Sequence, residues 1–236
     1  MQSKPKLLKI LDIVTLVIAI IFFLIATYMV FFYAEKEAVM GQVQRVFYFH
    51  VAAGWVGMLS FFVAAAFGVV YLITNNRLWD IIELAAVEIG MVFAFINVVT
   101  GSIWARPIWN TWWTWDPRLT TATIMLLIYA AYLMLRAGID DPDRRGRFAA
   151  IYAIVGFLSV PLTFFSARLF RTIHPVVIAA EQSGVTGEFA MEPKMFQTFM
   201  FSLVAFTFVF IALLWHRIRI GILADKVEQL KLKTLG

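Results

Sequence analysis

Residues Val46–Ile73 read VFYFHVAAGWVGMLSFFVAAAFGVVYLI, a run of 28 residues with one histidine and no Asp, Glu, Lys or Arg. At 1.5 Å per helical residue such a run exceeds the ~30 Å hydrocarbon core of a bilayer. Lipid offers backbone polar groups no partner, so a spanning segment must be a helix or a barrel strand, and barrel strands need only ~9–11 residues. Working outward, similar runs recur at Ile10–Phe32, Ile81–Trp104, Leu119–Leu135, Phe148–Ala167 and Met195–Trp215. The breaks fall at Ala34–Met40, Asn75–Asp80, Ala105–Arg118, Arg136–Arg147 and Arg168–Lys194, each holding charged or turn-forming residues. The sequence predicts an all-α integral membrane protein of six transmembrane helices, a single domain over residues 1–236.

Composition agrees. Of the 236 residues 62% are hydrophobic and only 15% charged, with a mean hydropathy of +0.83; soluble domains run at about 45–50% apolar and about 25% charged. Disordered chains are poor in aromatics, and this one is 16% aromatic. There is no cysteine, which excludes disulfides, thiolate metal sites and Cys-based redox chemistry. The net charge of +5 bears on orientation rather than on nucleic acid, and no nucleic-acid partner is expected. With the N-terminus inside, 13 Lys and Arg fall in inner segments and 7 in outer ones, which predicts that both termini face the cytoplasm of a plasma (inner) membrane. The first span is too long an apolar run, with no small-x-small site after it, to read as a cleaved signal peptide. The basic tail 218–236 is expected to form a short amphipathic helix on the inner surface, with Ile222, Val227 and Leu230 toward lipid.

Five of the eight tryptophans lie in the outer loop 105–118 or at its edge: Trp104, Trp109, Trp112, Trp113 and Trp115. An interfacial aromatic belt explains one or two. Trp109, Trp112, Trp113 and Asp116 stand at i, i+3, i+4 and i+7, one face of a short helix, with Pro107 suited to its start and Pro117 to its end. This predicts a short interfacial helix whose aligned indoles form a platform for a large planar ligand. Asp116 also precedes Pro117 at the head of the fourth span, as an N-cap residue does.

The chain has three histidines. His216 reads as an interface anchor at the inner end of the last span. A helix from Gln44 to Ile73 overshoots the bilayer core, which puts His50 near the outer surface. His174 lies in the long outer loop 168–194, where His174-Pro175 heads a stretch, Val176–Ser183, expected to be helical with the histidine as its N-cap; the positive helix end favours a neutral imidazole, the form that ligates metal. Two outer histidines suffice for bis-imidazole ligation of haem iron. Arg45, Arg106, Arg118, Arg168 and Arg171 supply cations that could pair with propionates, or that snorkel to headgroups.

At PIWNTWWTWDPRLT, residues 107–120, the sequence resembles the tryptophan-rich WWD signature of the haem-handling proteins of cytochrome c biogenesis. With six spans, YFHV at 48–51 and TIH at 172–174, it is similar over nearly its whole length to the cytochrome c maturation protein C (CcmC) family. The resemblance implies a protein that is not an enzyme. It implies axial iron ligation by His50 and His174, transient non-covalent binding of haem b, and a binding site that draws on Trp109, Trp112, Trp113, Trp115, Asp116, Arg45, Arg106, Arg118 and Arg171. It also implies partners: an ABC-type ATPase and its membrane subunit, a small single-span membrane protein, and an outer-face haem chaperone. Two positions depart from the pattern, since Asn110 stands where the family usually has Gly and Pro117 where it often has a small residue.

Rival readings make different demands. A b-type electron-transfer cytochrome needs histidine pairs within the bilayer, and mid-span histidines are missing from the sequence. A secondary transporter of a small solute could use Glu88 and Asn97, polar groups at membrane depth in the third span; no charged residue in the other predicted spans pairs with Glu88, which points to a protonated side chain bonded to a neighbouring helix. The larger WWD exporters and synthases carry further histidines and spans. ATP hydrolysis has no Gly-x-x-x-x-Gly-Lys-Ser/Thr loop to work with.

Overall fold

The computed structural model describes residues 4–37, 40–170, 172–175 and 191–235. Among them are seven α-helices: α1 Lys4–Tyr28, α2 Gln44–Thr74, α3 Arg77–Trp109, α4 Pro117–Ala137, α5 Pro142–Phe157, α6 Ser159–Leu169 and α7 Pro193–Leu235. A single π-turn, Met29–Tyr33, prolongs α1. Six segments are long and apolar enough to cross a membrane, with α5 and α6 together making the fifth. The step between those two, at Leu158, has a covalent cause: Pro161 has no N–H to give the Phe157 carbonyl.

Helices α2 and α3 form a hairpin around which the rest is built. Asn75 ends α2 in the left-handed region (φ 50°), and the Asn76 side chain caps α3 by accepting from the Leu78 amide. Small residues let the two helices close up: a β-carbon on Gly57 would lie 3.4 Å from the Ala94 backbone, and one on Gly90 would strike the Phe61 ring. Phe61 in turn stacks on Tyr129 of α4, ring centres 3.6 Å apart. Helix α7 packs on α1, α2 and α3, while α4, α5 and α6 pack on one another, with α5 also against α2.

Two expectations are corrected here. The basic tail is helical but is no separate surface helix: α7 runs without a break from Pro193 to Leu235. Its extension is tied back to α3 by Asp225, 2.9 Å from Arg77 Nε. Glu88 does not lack a charged partner, because Arg217 of α7 meets it with Nε at 2.5 Å and a second nitrogen at 2.9 Å. That pairing joins positions 129 residues apart.

Candidate functional site

His50 stands in the second turn of α2 and is held by α3. Its Nδ1 lies 2.9 Å from the Asn97 carbonyl and 3.3 Å from Thr100 Oγ1, whose own proton goes to the Ile96 carbonyl. The Asn97 carbonyl, the nearest neighbour, can only accept, and the Asn97 amide nitrogen, 3.2 Å from Nδ1, has the His50 carbonyl as its closer acceptor; this places the proton on Nδ1 and leaves Nε2 with its lone pair. The Asn97 side-chain amide closes the clamp by donating to the His50 carbonyl at 2.8 Å. One turn on, Gly101 leaves space for the ring; a β-carbon there would sit 2.8 Å from His50 Cε1.

His174 approaches from the segment between α6 and α7 with the same polarity. Its Nδ1 is 3.0 Å from the Pro175 carbonyl, and its backbone amide bonds Thr172 Oγ1. Burial, the Arg118 guanidinium and the His50 ring push this imidazole down from 6.5 to about 3, so the ring is neutral at pH 7. The sequence reading expected a neutral ring from a helix N-terminus; the cause found is burial, and the expected helix 176–183 lies outside the described residues. The ring centres of His50 and His174 are 6.4 Å apart. With metal–imidazole bonds of ~2.0 Å and about 1.1 Å from ring nitrogen to ring centre, two rings trans on one metal stand ~6 Å apart.

The tryptophans reach this point by a different route from the one expected. Helix α3 continues through Pro107 to Trp109, Asn110 turns the chain in the left-handed region (φ 55°), and residues 111–116 form no helix before Pro117 opens α4. The predicted interfacial helix is therefore replaced by a helix end and an extended loop. Trp109, Trp112 and Trp113 nevertheless line one cavity with both histidines, Asn97 and Arg118. Trp109 meets the His174 ring edge at 6.5 Å and stands perpendicular to Trp104, 4.9 Å away. The enclosed space is about 60 Å³, room for about two waters. Around it the buried indole N–H groups of Trp104 and Trp113 have no acceptor among the described residues. Unpaired buried indole donors and two imidazoles whose Nε2 atoms have no hydrogen bond among the described residues suit a metal-bearing ligand with acceptor groups, and a large planar one would have to part the walls of this space.

Other predicted residues fall elsewhere. Trp115 is 74% exposed and packs edge-on against Trp113. Asp116 is the N-cap of α4, Oδ1 accepting from the Leu119 amide at 3.0 Å. Arg118 bonds the Thr163 and Phe164 carbonyls of α6 at the cavity wall. Arg106 is bound to Asn110, and Arg45 to Gln42 and the Val30 carbonyl beneath Phe31, so neither lines the cavity. Arg171 lies outside the described residues. Asn97 and Glu88 do not share a site: nine residues part them, about 14 Å along α3, and Asn97 serves His50. Sequence reasoning missed Thr100, Gly101 and the clamp by Asn97; the available signal was Asn97-x-x-x-Gly101, one polar and one vacant position a turn apart on the same helix face.

A family profile described as Heme exporter protein C (CcmC) matches residues 3–233. The chain belongs to the Heme exporter protein C family. The Heme exporter protein C of Bradyrhizobium diazoefficiens is 30% identical over 84% of this chain and 74% of its own length. That of Escherichia coli K12 is 31% identical over 80% and 74%. A putative cytochrome c biosynthesis ccmC-like mitochondrial protein of Marchantia polymorpha is 31% identical over 63% of each chain. Within the CcmC pattern, Asn110 in place of Gly is explained by its backbone, since Asn is the side chain that best tolerates the left-handed turn.

Proposed function

We propose that this protein handles haem for cytochrome c biogenesis, holding haem b without a covalent bond at the outer face of the inner membrane. Both termini lie in the cytoplasm, and the loops 105–118 and 168–194 are outside. His50 and His174 supply Nε2 to the iron, the indoles of Trp109, Trp112 and Trp113 bound the apolar ring, and Arg118 faces a propionate. Haem is cargo here: the chain performs no bond-making on it, and its own residues bind, orient and exclude water. The observation that carries this reading is the histidine pair, each Nδ1 bonded to a backbone carbonyl and the ring centres 6.4 Å apart, because a carbonyl-bonded Nδ1–H is what fixes a metal-binding imidazole in register. His174, on the loop, is the ligand that lets go when haem passes to an outer-face chaperone. Energy input comes from partners: an ABC-type ATPase, its membrane subunit and a small single-span protein.

The absorption spectrum of the detergent-purified protein after growth with ample haem tests this. A Soret band is expected in the wild type and a shifted or lost band in both His50→Ala and His174→Ala. A wild type that stays colourless after haem is added rejects the reading.

A further inference from the structure

The tryptophan-side cavity is one of two that meet at the histidines. The second, about 190 Å³, shares His50, Asn97, Arg118 and His174 with it and is otherwise lined by Pro175 and by residues of α2, α6 and α7. Val51 and Met58 of α2 form its floor, Phe164 and Ala167 of α6 one wall, Phe199 and Leu203 of α7 the other. Its walls belong to different packing groups: α6 rests on α4 and α5, whereas α7 rests on α1, α2 and α3. Parting α6 from α7 keeps the contacts inside each group and acts instead on those of α4 and α5 with α2 and α3, which join the groups. Trp55, also in the lining, is 40% exposed, so the chamber reaches the lipid-facing surface. Two cations share the lining with the histidines: Arg118, and Arg168 with its guanidinium 4.8 Å from the Phe164 ring centre.

We infer that this chamber is a lateral vestibule, through which a flat apolar ring carrying carboxylates slides from the outer leaflet to the histidine pair. The inference rests on the haem-binding reading above. An apolar tetrapyrrole dissolves in the bilayer for the same reason that side chains bury, at about 25 cal/mol per Å² removed from water, and its carboxylates stay at headgroup level. A passage with apolar walls and two guanidiniums in its lining matches both halves of such a molecule. The chamber holds about six waters' volume at ~30 Å³ each, so α6 and α7 part as the ring passes and close behind it.

The chain has no cysteine, which makes the test direct. Ala167→Cys and Leu203→Cys, one on each wall, are joined by a reducible bis-maleimide in nanodiscs whose lipid carries haemin, and the growth of the Soret band is followed. The cross-linked protein is expected to load at least tenfold more slowly than the same double variant before cross-linking, and reduction of the linker to restore the rate. Cross-linking after loading leaves the band unchanged. Met58→Trp, which fills the chamber from its floor, slows loading in the same way and guards against a poorly folded cysteine pair. Equal loading rates in open and cross-linked protein overturn the vestibule while leaving the histidine site standing. A wild type that never forms the band overturns the site itself and the vestibule with it.

Discussion

His50 is gripped from α3 by a carbonyl, a hydroxyl and a side-chain amide, and the ring lies over a glycine; this is tight enough that a single methyl group should be felt. In Gly101→Ala the new carbon falls 2.8 Å from His50 Cε1, and the ring cannot swing away without giving up its bond to Asn97. Overpacking of this kind costs about 1–3 kcal/mol, and ~1.4 kcal/mol is tenfold in affinity. Gly101→Ala is expected to weaken haem retention about tenfold and to lower the melting temperature by a few degrees, while Gly138→Ala, with its nearest neighbours 3.7 Å away, does neither. Spectral titration with haemin measures it. A second outcome concerns His174. Its folded pKa is depressed, from 6.5 to about 3, so between those values the unfolded chain takes up a proton that the folded protein refuses. Stability is then full above 6.5 and falls as pH falls through that window. The apoprotein should lose more melting temperature between about pH 7 and about pH 5 than His174→Gln does; equal losses would place His174 in water. Both histidines were legible in the sequence because histidine is scarce and both sit at predicted outer ends. The clamp on His50 was not, because it depends on which face of α3 meets α2, and hydrophobic periodicity cannot supply that where both helices are apolar all round.

At the scale of elements, the turn from α3 to α4 is where sequence reading erred and where its cause can be tested. The i, i+3, i+4, i+7 spacing of Trp109, Trp112, Trp113 and Asp116 is real, but a helix needs a nucleus as well as a period. The seven residues 110–116 lie between Asn110 in the left-handed region and Asp116 in an extended conformation. Pro107 did not start a helix because it sits in the last turn of an existing one. The Asp116-Pro117 head of α4 was correctly read, since capping is local chemistry and needs no knowledge of tertiary contacts. Asn110→Gly should leave stability nearly unchanged, whereas Asn110→Val, β-branched and unsuited to φ 55°, should cost about 1–3 kcal/mol. Asp116→Ala should cost about 0.5–2 kcal/mol, and Asp116→Asn most of a kcal/mol less because the amide oxygen still caps. Thermal melts of the four variants in one detergent give the ranking. An Asn110→Val protein as stable as Asn110→Gly would mean that the turn is not left-handed.

Across the whole molecule, the histidine site at one end is balanced by an ionic network at the other. Arg136 of α4, 8% exposed, makes a two-pronged contact with Asp80 of α3, 2% exposed, at 2.5 and 3.1 Å. Tyr132 is 3.4 Å from Arg136 and donates to Glu83 at 2.9 Å. From Asp80 to Asn97 is 17 residues, about 26 Å along α3, so the network cannot touch the histidines directly. The network joins two short stretches far apart in sequence, Asp80 and Glu83 on α3 with Tyr132 and Arg136 on α4, 56 residues separating Asp80 from Arg136, and the pairing was invisible until the fold joined them. Removing Arg136 leaves buried Asp80 with only the longer contact to Arg77, 3.8 Å away; breaking a buried pair costs up to about 3–5 kcal/mol, whereas replacing both members by neutral groups of similar volume is often close to neutral. Arg136→Met should therefore lower the melting temperature sharply, and Asp80→Asn combined with Arg136→Met should recover most of the loss. The Soret position of haem-loaded protein should match wild type in both, since the proposed ligands, His50 and His174, sit at the other end of α2 and in the segment between α6 and α7. If the double variant is as unstable as the single, the pair contributes by more than mutual neutralisation. If instead the Soret band shifts in a variant that still folds, the two ends are mechanically coupled through α3, and the inner network acts on how firmly Asn97 holds His50.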